Sequence, residues 1–411
     1  MNISPNFSPS IKLMKPYFLF SSFFYVLSMI WIFFLDFNLA INDFKLVGWV
    51  HLYMLGFVMM AIFASMAQLG PIVVETKHHN VNIFKYIWVS LIFGLFLMIY
   101  GFYIDISFLI YGGLFVLVAM AIYAIEFLLT LKNARRKTSI TNAMKMSNLF
   151  LLLGIITGLT MAFAFNGYID INPHSFLNMH TFGLIVGFVI LLIMGISIIL
   201  IPMFGFSKRV SDNEFQNSFF TLSIGVITMM LSVFFLTSLL QNIAYFITIL
   251  SLCLYFFQLY KMNKSRKKIV HDIWAKSMYV GFISFIFASI ILISYLFFND
   301  EVILKLGMWL MLVGFFGFII IGNFYKIIPF LVWFQIYSPL IEEQQVPMLH
   351  ELLPKKLTNL QWIYSSLGLV TSSVAIMLKN QQLFLAGIVL LSVGGVLFFI
   401  IVLKIIRTHV K

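Results

Sequence analysis

Charge is scarce in this chain: Asp, Glu, Lys and Arg together make up 10% of its 411 residues. A soluble globular domain carries roughly 25%, so a water-facing shell around an ordinary core is excluded. Cysteine is scarcer still. The single Cys253 rules out an internal disulfide and a cysteine-built metal site, and its place in an apolar run predicts a small buried hydrophobe. Proline is down to 10 residues and acidic residues to 14. Also missing are a glycine-rich phosphate loop, zinc-type Cys/His spacing and any hydrolase motif, which removes the common nucleotide-binding and hydrolytic classes.

What the chain has in excess is apolar surface: 62% of its residues are hydrophobic and its mean hydropathy is +1.04. Apolar segments of about 20 residues, the length needed to cross a bilayer core as a helix, recur along nearly the whole length. Twelve are read near 16–37, 46–74, 84–104, 106–131, 145–166, 176–204, 215–238, 241–260, 275–298, 302–334, 360–378 and 382–403. Within lipid a backbone must satisfy its own hydrogen bonds, which favours helices, and the segments are too long for barrel strands. The expected class is an all-α polytopic membrane protein with 12 transmembrane helices in a lipid bilayer. The loop at 335–359, with Pro339, Pro347 and Pro354, reads as a surface segment with one short interfacial helix.

A net charge of +12 would suit a nucleic-acid partner, but its distribution points elsewhere. All but four of the 26 basic residues lie at the termini or in every second gap between spans; the exceptions are Lys45, Lys305, Lys326 and Lys379. Such asymmetry marks the cytoplasmic face. The pattern predicts both termini in the cytoplasm, a bacterial-type inner (plasma) membrane location and no nucleic acid. Lys12 and Lys15 precede an apolar run with no small-residue cleavage site, so the first span is read as retained.

Against this background one pattern stands out. Gly56–Phe57 is followed by Pro71, Gly187–Phe188 by Pro202 and Gly314–Phe315 by Pro329, each proline 15 residues after its glycine. The three sets fall on spans 2, 6 and 10 and divide the chain into three pseudo-repeats of four helices, 1–137, 138–270 and 271–411. Each proline withholds an N–H from the carbonyl four residues earlier, at Ala67, Ile198 and Tyr325. Each glycine lets a neighbouring helix approach closely, and Ala64, Gly195 and Gly322 extend the small-residue face. These three helices are expected to be the innermost.

Few side chains carry chemistry. His78, His79, His271, His350 and His409 fall in gaps or the tail and read as solvated, and His174 follows Pro173 in a loop. His51 and His180 stand at the outer ends of spans 2 and 6, where an ionisable residue is costly and imidazole can bind heme iron or copper. An interfacial histidine bonded to a carbonyl is the competing reading. Measured from their own glycines the two differ by two residues, about 3 Å in depth and about 200° around a helix, which argues against one metal held by both. Glu126 and Lys326 are the remaining charges within spans; Lys326 can snorkel to the interface or pair with Glu126.

The pattern resembles the heme–copper oxidase subunit I superfamily. The resemblance is carried by the threefold set of inner helices and by His51-Leu-Tyr-Met-Leu-Gly-Phe-Val running to Gln68-Leu-Gly-Pro71. It implies three arcs of four helices, a heme ligand at His51, and a copper ligand at His180, in Asn178-Met-His-Thr-Phe-Gly. Departures are as informative. The family's seventh helix carries two adjacent histidines and its tenth carries two more; here both helices lack them, Trp309 stands where His51 has its counterpart, and Leu184 replaces a tyrosine. A heme at His51 would need another axial partner, for which Met308 or Met311 on the tenth span is a candidate. Without a binuclear centre the resemblance implies no oxygen reductase. It leaves a heme- or copper-binding protein of electron transfer, sensing or cofactor handling, with redox or respiratory-chain partners. The alternative is a cofactor-free transporter or assembly scaffold.

Overall fold

A computed structural model describes residues 7–235, 238–268 and 270–407. Among these there is no strand. Twelve helices are long and apolar enough to cross a membrane: α1 Ile11–Phe34, α2 Phe44–Val74, α3 Val81–Tyr103, α4 Phe108–Lys132, α5 Ser139–Phe165, α6 Pro173–Gly205, α7 Asp212–Phe235, α8 Ser238–Lys264, α9 Ile273–Phe298, α10 Glu301–Leu340, α11 Lys355–Met377 and α12 Gln381–Arg407. The class and the number of spans are those read from the sequence. The tenth helix runs further than expected, to Leu340, and the following loop holds only a short 3-10 turn at Leu349–Glu351.

The few polar residues are spent largely at helix starts, where backbone N–H groups lack intrahelical acceptors. Ser10 accepts from the Leu13 amide before α1, Asp43 from Lys45 before α2, Asp272 from Ala275 before α9, and Asp300 from Val302 before α10. Thr138 and Thr141 cap α5 reciprocally.

Burial singles out the helices that carry the glycine–proline sets. In α2, α6 and α10 the apolar stretch is 83%, 78% and 72% enclosed, whereas no other span exceeds 56%. All three also leave α-geometry at the same place. Their Gly–Phe pairs sit in π-helical stretches at Leu52–Met59, Phe182–Ile190 and Leu310–Gly317. Each glycine meets the span that precedes it in the chain. A methyl group on Gly56 would lie 2.6 Å from Phe24 Cγ of α1, one on Gly187 2.9 Å from Phe150 Cβ of α5, and one on Gly314 2.7 Å from Ser284 Cβ of α9. The close approach anticipated from glycine is therefore present at all three positions.

By their contacts the helices form two units. One joins the described residues up to Ser8 to Ala67–Val270, holding the end of α2 and all of α3–α8; the other joins Pro9–Met66 to the described residues from His271 onward, holding α1, most of α2 and α9–α12. Cys253 is exposed on α8, contrary to its expected burial, because the face of the helix that packs is the one carrying Thr248, Ser251, Tyr255 and Gln258.

The glycine contacts make a sharp comparison within α6. Gly187→Ala places a methyl in contact with Phe150 that a neighbour must yield to, and should cost about 1–3 kcal/mol through overpacking. Gly195→Ala meets nothing nearer than Ala143 Cβ at 3.6 Å, an ordinary contact, and should be neutral or slightly stabilising through helix propensity. Thermal unfolding of both variants in detergent measures the difference.

Candidate functional site

His51 and His180 each lie near the amino-terminal end of an enclosed helix, and both are held by backbone carbonyls. His51 Nδ1 is 2.8 Å from Val47 O, one turn earlier in α2. A carbonyl can only accept, so Nδ1 carries the proton and Nε2 is the basic nitrogen. His180 Nδ1 likewise donates to Gly154 O of α5, at 2.9 Å. Its ring lies directly over Gly158, where a Cβ would come within 2.5 Å of Cε1. Gly158 therefore makes room for the imidazole and Gly154 supplies the carbonyl that holds it, while the side-chain position of Gly154 faces Leu184 of α6. The Gly154-Ile-Ile-Thr-Gly158 spacing was legible in the sequence as a helix-contact signal, although its partner was not. His51 and His180 belong to different units, and each is a site by itself. His174 meets the edge of the Phe165 ring, with centroids 5.8 Å apart. His409 and Lys411 lie outside the described residues.

The heme implied by the resemblance would be held between α2 and α10. The side chains there do not fit it. Trp49 and Trp309 stack on one another with centroids 5.8 Å apart and planes 22° apart. The Trp49 indole donates to Ser28 O at 2.8 Å and the Trp309 indole to Ser372 Oγ at 2.9 Å. Four residues on from Trp49, the Tyr53 ring stacks on it at 5.7 Å, and its hydroxyl crosses to Leu312 O of α10 at 2.9 Å. A macrocycle between these helices would have to displace two buried indoles and break three hydrogen bonds. Trp309, in the position corresponding to His51, offers an N–H donor and no metal-binding lone pair.

The filling continues along the same unit. Tyr25 packs against Tyr53, Phe57 and Phe398, and Phe398 against Phe324 and Tyr325. The Tyr325 hydroxyl donates to Gln361 Oε1, whose amide nitrogen reaches Ser365. Aromatic rings thus fill the core while their polar ends find partners, as burial requires. For copper at His180 the donor chemistry is thin: among the described residues no three His, Cys, Asp or Glu side chains come together in a metal-binding group.

A second constellation differs from what the sequence predicts. His78, expected to be solvated, is only 3% exposed at its side chain, and Glu126 of α4 only 1%. His78 Nδ1 lies 2.9 Å from Glu126 Oε1, and Nε2 lies 2.7 Å from Ala67 O. Ala67 is the residue whose carbonyl Pro71 deprives of its helical donor. The imidazole supplies the missing donor from the chain just beyond the end of α2. Thr130, one turn after Glu126, donates to the same Oε1 at 2.9 Å, and the Asn80 amide approaches it at 3.4 Å. The His79 amide donates to Thr130 Oγ1 at 3.0 Å. Glu126 Oε2 is buried and accepts no hydrogen bond. The pairing of Glu126 with Lys326 does not form: Lys326 Nζ binds Asp272 Oδ2 at 2.6 Å. The signals for His78 were all present in the sequence (Pro71, the freed carbonyl and an in-span Glu126), but nothing local tied them to a histidine seven residues past the proline.

No family model matches the chain, and no curated protein sequence is recognisably similar to it.

The aromatic seal can be probed directly. Tyr53→Phe removes one buried interhelical hydrogen bond and should cost about 1 kcal/mol. Trp309→Ala empties the stack and should cost about 3–5 kcal/mol. Thermal unfolding in detergent, with the wild type alongside, gives both values.

Proposed function

We propose that this chain is a cofactor-free, proton-linked membrane transporter built on an oxidase-like set of inner helices. The observation that carries the reading is the Trp49–Trp309 stack, which occupies the place a heme would take between α2 and α10. Two features support movement of a solute rather than a purely structural role. An acid–imidazole pair is enclosed within a helical membrane protein, where ionisable groups are costly and tend to mark ion or proton paths. The three most enclosed helices also depart from α-geometry in mid-course, as helices at functional sites often do. In this reading the three pseudo-repeats are arcs of four helices. The basic loops and both termini face the cytoplasm of a bacterial-type plasma membrane.

A second reading is favoured by the carbonyl bonds that fix His51 and His180 with Nε2 as the basic nitrogen, the arrangement usual for a metal-bound imidazole. In it one histidine holds heme or copper, and the protein serves electron transfer, sensing or cofactor handling with respiratory-chain partners.

An absorption spectrum and metal analysis of the purified full-length protein separate the two. We expect neither a Soret band nor copper in stoichiometric amount. Stoichiometric heme or copper that is lost in His51→Ala or His180→Ala would overturn the cofactor-free reading and establish the second. Proteoliposomes loaded with a pH-sensitive dye test the transport half. An imposed gradient should collapse faster with the protein than without it, and equal rates would remove proton linkage.

The orientation is tested with single cysteines introduced into a Cys253→Ala background. Lys137→Cys should react with an impermeant maleimide only after cells are opened, whereas Asn299→Cys should react in intact cells; the reverse result inverts the topology.

A further inference from the structure

The geometry points to Glu126 Oε2 as the atom that binds the exchangeable proton, with His78 and the Pro71-freed carbonyl of Ala67 as the device that holds it ready. The inference rests on the proton-linked reading for its physiological use, but the proton site stands or falls on its own chemistry.

The hydrogen bonds assign the protons. Ala67 O can only accept, so His78 Nε2 carries a hydrogen in every state of the site. Oε1 of Glu126 is approached by three donors: the Thr130 hydroxyl, the Asn80 amide and, when protonated, His78 Nδ1. Opposite a carboxylate oxygen, which can only accept, Nδ1 bonds as a donor, so the deprotonated carboxyl faces a ring with a hydrogen on both nitrogens. Thr130 cannot turn its hydrogen elsewhere without loss, because the His79 amide already occupies its oxygen as a donor. The whole network thus saturates Oε1 and leaves Oε2 with full lone pairs, enclosed and without a donor.

A buried carboxylate oxygen left in that state is costly, and it is the atom of the carboxyl on which a proton can sit without displacing one of the hydrogen bonds to Oε1. The step is simple to balance. A proton delivered by a hydronium ion or a protonated solute adds to Oε2, converting carboxylate to carboxylic acid and taking the pair from zero net charge to one positive charge. Its departure restores the ion pair. The step leaves the His78 ring in place, anchored at Nε2 by a carbonyl whose usual helical donor is missing because residue 71 is proline. Phe84 closes one side of the ring, edge to face at 5.3 Å.

The charges around the site do not offer an alternative acceptor inside it. Lys77 and His79 on the loop, Lys85 on α3, and Lys132 on α4 are exposed. Arg136 is engaged with Glu75, at 3.2 Å, at the end of α2. Tyr123, one turn before Glu126, is the remaining titratable group buried on the same helix, and its ring stacks on Phe127.

Infrared difference spectroscopy of the purified full-length protein, stepped from mildly alkaline to mildly acidic solution, reads the site without requiring transport. A carboxylic C=O band should grow in on acidification, move on exchange into D2O and be absent from Glu126→Gln. Thr130→Val, which strips one donor from Oε1 and leaves the carboxyl in place, should shift the band without abolishing it. Pro71→Ala returns an N–H to the Ala67 carbonyl and should shift the band as well, through the loosened imidazole. Difference spectra identical in wild type and Glu126→Gln, or a band indifferent to Thr130→Val, would overturn the inference and leave a static ion pair. A band that behaves as expected in a protein without proton flux in liposomes would keep the site and discard the transport reading instead.

Discussion

In an interior made largely of hydrocarbon, a hydrogen-bonding group left without a partner is costly, since water is not there to supply one. That constraint organises this structure more than any other. Proline in an enclosed helix creates an acceptor that the helix cannot satisfy, and at Pro71 the answer comes from outside α2. His78 reaches back to Ala67 O, and Glu126 and Thr130 hold the histidine's other side. The same rule accounts for the indoles of Trp49 and Trp309, which reach Ser28 and Ser372, and for the Tyr53 hydroxyl on Leu312.

Packing is the second determinant. Without a hydrophobic drive between helices in lipid, close association depends on small residues and van der Waals fit. Gly56, Gly187 and Gly314 are the points at which α1, α5 and α9 press against the enclosed helices, each contact too short to admit a methyl group without movement. The π-helical stretches fall over these same glycines. α10 then closes on α2 through the stacked rings of Trp309 and Trp49. The matched inner helices are thus joined to an interior in which aromatic rings fill the space between α2 and α10.

The sequence by itself determined the class, the number of spans and the identity of the enclosed helices. Those features follow from properties that are local or periodic: apolar length, the spacing of basic gaps, and glycine and proline repeated in register. It also showed that the seventh and tenth spans carry no histidine, since a missing residue needs no structure to be seen. Only the tertiary structure decided what fills the space instead. Whether Trp309 meets Trp49, whether Glu126 finds Lys326 or His78, and which face of α8 carries Cys253 outward all depend on which helix faces come together. His78 is the clearest instance. A histidine beside Lys77 and His79 in a basic gap looks solvated, and only a carbonyl left open by a proline on one helix and a carboxylate on another draw it under the surface. Side chains separated by 48 residues leave no periodic trace of their meeting, because their pairing is a property of packing and not of the chain.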